Sequence, residues 1–155
     1  MILPQPRSRW VLRRVAFQSG SVLAEIERWV VHRLLWLLQI VLGVYFIAIG
    51  IVHFVLPDGL PEAMSWMYDL SDTLHMVSGT AEILGGLGLI LPGLTGIRPE
   101  LTWMAAFGLA IVMVGAAVWH IGRGEYVQVV LNLVTLGVLL FIGYGRLRLH
   151  PLRTA

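Results

Sequence analysis

The sequence predicts an all-α fold: an integral membrane four-helix bundle with an N-terminal cytoplasmic amphipathic helix. Composition is the first observation behind this. Of 155 residues, 57% are hydrophobic and only 13% are charged, which is too apolar for a soluble domain of this length. The second is the presence of four apolar runs, at 34–56, 74–91, 101–121 and 126–145, each 18 to 23 residues long. About 20 helical residues cross a ~30 Å hydrocarbon core. The third is that the first, third and fourth runs contain no Asp, Glu, Lys or Arg. The chain therefore divides into a basic extension (1–33), a four-helix membrane domain (34–146) and a short basic tail (147–155).

In the extension, Val22, Leu23, Ile26, Trp29 and Val30 recur at i, i+1, i+4, i+7 and i+8, opposite Glu25, Glu27 and Arg28. That pattern predicts an amphipathic helix lying on the cytoplasmic leaflet, with the upstream arginines drawn to anionic lipid. Docking on a neighbouring subunit is the alternative use of the same face. No continuous apolar core followed by a small-residue cleavage site occurs in residues 1–33, so a signal peptide is not expected. After the first span, the segment from Pro61 to Tyr68 combines a helix-starting proline with aromatics, and predicts a short interfacial helix capping the bundle. Pro92 is expected to stop the second helix and Pro99 to open the third. The brief Gly122–Glu125 link forces the third and fourth helices to pack as antiparallel neighbours.

All eleven basic residues are arginines, and six of them (Arg7, Arg9, Arg13, Arg14, Arg28, Arg33) precede the first span. Arg98, Arg146, Arg148 and Arg153 fall on the same side, and only Arg123 on the other. By the positive-inside rule both termini are cytoplasmic, and a bacterial inner (plasma) membrane is the expected location. The 56–73 connection, with Asp58, Glu62, Asp69 and Asp72 and no base, then lies outside. The arginines are accounted for by topology and lipid, so no nucleic-acid partner is expected. The sequence holds no cysteine, which removes thiol exchange, thiolate metal sites, iron–sulfur clusters and covalently attached haem.

The second run carries one carboxylate, Glu82, at the ninth of its 18 residues. Burying such a group in lipid costs roughly 2.5 kcal/mol or more, so it usually faces the protein interior and has a role. His75, Ser78, Gly79, Glu82, Gly85 and Gly86 share its helical face. On a 1.5 Å rise, Glu82 sits ~12 Å below the outer end of its span, Asn132 ~9 Å and His53 ~5 Å. His75 and His120 stand at the outer ends of the second and third spans, and Gln128, Asn132 and Thr135 form a stripe on the fourth. These placements predict a polar pocket in the outer half of the bundle, opening outward, and no comparable polar set in the inner half.

Each member has a plainer alternative. His53 and His120 suit interfacial hydrogen bonds, and His75 beside Asp72 suits a helix cap. Asn132 and Gln128 suit interhelical hydrogen bonding. Glu82 could be a buried carboxyl that only fixes helix register. The abundant glycines and alanines of the second and third spans are expected mainly to bring helices close.

Three active readings compete. A lipid-soluble quinone could enter laterally and meet His and Glu groups that exchange protons with it. His53, His75, His120 and Glu82 are acceptable metal ligands, but their spacing matches no ligand signature, so no metal ligand is assigned. A haem between His53 and His120 is disfavoured by the tight Gly/Ala packing.

The strings "GIVHF", "SGTAEILGGLGLILPG" and "AAFGLAIVMVGAAVWH", with Asn132 and the closing "YGR", resemble the DoxX-like family of small four-helix membrane proteins over about residues 34–146. The Glu-Ile-Leu-Gly-Gly stretch is the most specific part, and residues 1–33 lie outside it. The resemblance implies a link to quinone-coupled thiosulfate oxidation or to oxidative-stress complexes. It also places His53, Glu82, His120 and Asn132 at the family's polar positions. An enzyme activity is not expected of the chain in isolation.

The resulting expectation is a small membrane component that binds or hands on a quinone-like redox partner. Glu82 and His120 exchange protons, while His53, His75, Asn132 and Gln128 bind or orient the ligand. A non-catalytic accessory subunit of a larger respiratory or photosynthetic complex is the alternative.

Overall fold

A computed structural model of the chain describes residues 8–152, with side chains from residue 24 onward. Four long helices run over Ser8–Val55 (α1), Asp72–Thr95 (α2), Glu100–Arg123 (α3) and Tyr126–Tyr144 (α4). A 3-10 helix, Glu62–Asp69, bridges α1 and α2, and a π turn, Gly145–Leu149, follows α4. No strand occurs among the described residues. Four segments, Ala24–Val55, Asp72–Thr95, Glu100–Arg123 and Tyr126–Leu149, are long and apolar enough to cross a bilayer. The all-α membrane fold expected from composition is the observed one, and the chain is a multi-pass membrane protein.

The chain forms two units, residues 1–34 and 35–155. In the first, the backbone is helical from Ser8, Ile26, Trp29 and Val30 are exposed, and the Arg33 guanidinium lies 5.0 Å from the centre of the Trp29 ring. The side chains of Val22 and Leu23 lie outside the described residues. The helix does not end near residue 33 as a separate surface helix would. No Gly or Pro occurs between residues 21 and 42, so nothing in the sequence breaks α1 there.

The second unit is the bundle. Buried positions on α1 fall at Leu35, Gln39, Gly43, Phe46, Gly50 and His53, and on α2 at His75, Gly79, Glu82, Gly86 and Leu89. Steps of three and four residues, averaging about 3.5, mark helices that keep one seam facing a partner. Glycine sets the depth of that seam, because lipid offers no hydrophobic force to drive helices together and close contact must do it. A Cβ on Gly43 would stand 3.0 Å from the Gly86 carbonyl oxygen, and one on Gly86 would stand 2.6 Å from that of Gly43. The opposite faces are apolar and open, as at Leu84, Ile111, Val118 and Val127, and present hydrocarbon to the bilayer.

The helix ends differ in detail from the expectation. Ser71, rather than His75, caps α2: its side chain accepts from the Leu74 amide at 3.3 Å. Pro92 does not stop α2, which continues to Thr95. Proline removes its own N–H from the ladder and crowds the carbonyl one turn before it, but its own carbonyl can still accept from the next turn. The Pro92 carbonyl still accepts from the Gly96 amide at 3.0 Å, and Gly96, at φ 68°, ends the helix. Gly124, at φ 74°, ends α3, leaving only Gly124 and Glu125 between α3 and α4. That two-residue link makes α3 and α4 packed antiparallel neighbours, as expected.

One expectation is corrected outright. The end of the bundle away from the 3-10 helix, the tail end, is not devoid of buried polar groups. Gln39 is 0% exposed and Arg146 2%. Gln39 Nε2 donates to the Leu89 carbonyl at 2.7 Å, and Arg146 Nε donates to Gln39 Oε1 at 2.5 Å. The Arg146 guanidinium also lies 5.3 Å from the Trp36 ring centre and donates through Nη1 to the His150 carbonyl at 3.3 Å. A lone glutamine in a greasy run and an arginine counted only as a topological charge gave no sign of this contact.

Candidate functional site

The loop end of the bundle gathers most of the histidines. His53, in the last turn of α1, places Nδ1 2.9 Å from Nδ1 of His75, in the first turn of α2. His53 Nε2 lies 3.5 Å from Glu82 Oε2. All three side chains are buried, so these histidines do not serve lipid headgroups. In an Nδ1···Nδ1 contact one ring must donate and the other accept, so the pair shares a proton. The result is a line of three side chains, His75, His53 and Glu82, running from the loop end to the carboxyl. Glu82 Oε2 itself has no hydrogen-bond partner, although Glu82 is only 6% exposed.

Glu82 is one of the residues lining a cavity of about 250 Å³. His53 contributes from α1, and Ser78, Ala81 and Glu82 from α2. Val112, Gly115, Ala116, Trp119 and His120 line it from α3, while Trp66 and Leu70 close it from the loop side. The lining is mostly apolar, with polar side-chain atoms on Ser78, Glu82, the two histidines and the indole nitrogens of Trp66 and Trp119. Small residues create the space: a Cβ on Gly115 would meet nothing within 4 Å. Trp66 is the hub of the aromatic wall. Its ring meets His120 at 5.0 Å, Trp119 at 6.1 Å and His53 at 6.3 Å between centroids, the first two edge to face.

The 3-10 helix that carries Trp66 is tied down at several points. Met67 is fully buried beneath it. The Tyr68 hydroxyl donates to the Pro57 carbonyl at 2.8 Å and accepts from the Leu60 amide at 3.0 Å. Arg123, at the end of α3, pairs with Asp69 and donates to Glu125 at 2.9 Å, with its guanidinium 4.5 Å from the Trp119 ring centre. Glu125 also holds His120 Nδ1 at 2.6 Å. Occupying Nδ1 leaves Nε2 as the ring nitrogen open to a ligand. Desolvation alone would raise the Glu125 carboxyl, but the hydrogen bonds from His120 and Arg123 and the positive charge of Arg123 outweigh it and hold the group below the usual glutamate range.

Of the residues expected at a site, the fold brings His53, Glu82 and His120 to one cavity, with His75 one contact behind. Asn132 and Gln128 stand outside that lining. Asn132 is half-buried on α4, and Gln128 Nε2 reaches the Ala63 carbonyl at 3.5 Å, so it touches the 3-10 helix instead. Among the described residues no three His, Asp or Glu side chains converge as a metal-binding group. Trp66 and Trp119 escaped the sequence reading. Trp119 immediately precedes a flagged histidine, which was the available signal, while Trp66 is placed by the path of the loop.

A four-helix integral membrane protein with a histidine–carboxylate site at one end is the class that this geometry defines. The DoxX-like family model matches residues 37–142, and the chain belongs to that family. No curated protein matches the chain. No solved structure matches it either.

Proposed function

We propose that this DoxX-like protein binds the headgroup of a lipid-soluble quinone in the cavity between α2 and α3, and exchanges protons with it as part of a redox-linked membrane system. The observation that carries the reading is Glu82, a buried carboxyl whose Oε2 lacks a hydrogen-bond partner, among the residues lining a cavity of about 250 Å³. A quinone carbonyl accepts a hydrogen bond, and its reduced hydroxyl donates one. A carboxyl linked through His53 to His75 serves both states by giving or taking a proton. His120, oriented by Glu125, is the second proton-exchanging group, with His53 and His75 as its counterparts on the Glu82 side. In this reading Gln128 supports the lid through Ala63, and Asn132 remains a helix-packing residue. The arginine distribution supports a bacterial inner membrane, with both termini cytoplasmic and the cavity toward the outer leaflet.

The test is quinone-induced thermal stabilisation of the purified protein. Wild type should be stabilised, and Glu82→Gln should remain folded but bind the reduced quinol, whose hydroxyl donates to the carboxylate, at least about tenfold more weakly, the scale of one charge-assisted hydrogen bond. Equal stabilisation of both proteins by the quinol overturns the reading.

One observation favours a second reading. The His53–His75 and His53–Glu82 contacts both join α1 to α2, as a packing lock would in an accessory subunit of a larger respiratory or photosynthetic complex. In that case Glu82→Gln lowers stability with or without quinone, and the protein co-purifies with its complex.

A further inference from the structure

A second space adjoins the cavity. Ala81 lines both this cavity and a second, shallower space of about 380 Å³ that continues along the α2–α3 seam toward the tail end. Leu84 and Gly88 form its α2 wall, and Met104, Ala105 and Gly108 its α3 wall. Its rim faces the bilayer, for Leu84 and Met104 are exposed, and a Cβ on Gly108 would meet nothing within 4 Å. From residue 81 to residue 88 the helix rises about 10 Å, roughly the reach of two isoprene units.

We propose that this groove seats the isoprenoid tail of the same ligand, so that the site selects prenyl-tailed quinones over tail-less rings and admits them sideways from the bilayer. The inference rests on the headgroup reading above. Two features commit the groove to this occupant. It adjoins the cavity that Glu82 lines, sharing Ala81 with it, and no polar side chain lines it, whereas the headgroup cavity carries Ser78, Glu82 and two histidines. A ligand polar at one end and hydrocarbon at the other matches that order.

Gly108 and Gly115 make the test direct, since both offer open space for a side chain. Gly115→Leu fills the headgroup cavity, and Gly108→Leu fills the groove. Binding of a tail-less dimethoxy-benzoquinone and of the same ring bearing two isoprene units is measured on wild type and both variants in the same detergent. Gly108→Leu should weaken the tailed ligand at least about tenfold, since two methylenes of lost burial suffice for that, and leave the tail-less ring within about twofold. Gly115→Leu should weaken both. Met104→Trp, at the exposed rim, provides a second block of the groove should Gly108→Leu not fold. If neither groove variant separates the two ligands while Glu82→Gln still weakens the reduced form of both, the groove holds ordinary lipid and the tail assignment falls alone. If wild type binds neither quinone, the headgroup reading falls and takes this one with it.

Discussion

Gly50 and Gly79 meet backbone to backbone across α1 and α2. A Cβ on Gly50 would stand 2.8 Å from the Gly79 carbonyl oxygen, and one on Gly79 would stand 2.9 Å from that of Gly50. Real Cβ atoms do not approach backbone so closely, so a methyl here must push the helices apart. The same crossing sets the distance between His53 and His75, one turn further along. Gly50→Ala should therefore lower stability by about 1–3 kcal/mol, the usual cost of overpacking, in detergent unfolding experiments. Gly137→Ala, where a Cβ meets nothing, should be neutral or slightly stabilising through helix propensity. Equal effects at the two positions would show that the seam is not set by glycine.

Arg123 joins the 3-10 helix to the α3–α4 turn through Asp69 and Glu125. These pairs are solvent-exposed, so Arg123→Ala should change global stability little. Its local effect should be larger. Hydrogen exchange in residues 62–69 should quicken, because the lid segment loses its tether to α3 while the bundle stays intact. Unchanged exchange there would place the lid's anchorage at Met67 and Tyr68 alone.

Acid should loosen the same corner. The Glu125 carboxyl is held below the ordinary glutamate range in the folded protein, so its contribution to stability is full above the unfolded value, about 4.3. It is lost as pH falls through the lower folded value. A melting series from neutral pH down to about pH 3 should show this acid-side loss in wild type and a smaller one in Glu125→Gln. Parallel curves would mean that His120 and Arg123 give Glu125 no net preference for its ionised form.

At the tail end, Arg146→Met leaves the Gln39 side-chain oxygen buried without its charged donor. Losing a hydrogen bond to a charged group should destabilise by about 2 kcal/mol. The double substitution Gln39→Leu with Arg146→Met should recover much of this, since replacing both partners by apolar groups strands neither. Additive losses in the double variant would contradict direct coupling of the two residues.

The class of fold was legible because each span is long, apolar and nearly free of charge, and hydrocarbon tolerates little else. Glu82 was legible for the same reason: a single carboxylate stands out in an 18-residue uncharged run. Depth along the helix also brought His53 and His120 to the correct end. What depth could not give was rotation. Asn132 and Gln128 have suitable depths, but their lateral placement depends on how α4 turns against α3, and one sequence does not fix that. Pro92 misled because a proline disturbs the turn before it without preventing the turn after it, and Gly96, four residues later, is the true stop. Trp66 was hidden because it lies in a connection, where no periodicity says which way a side chain faces.

The Gln39–Arg146 contact spans 107 residues of sequence, and synthesis must cross all of them. A growing chain that has already delivered its first three helices to the bilayer carries a glutamine whose side-chain oxygen awaits an arginine not yet made. Arrival of that arginine joins the first helix to the last. Until then the glutamine oxygen has no charged donor from this chain, and the contact can close only after α2, α3 and α4 have been made.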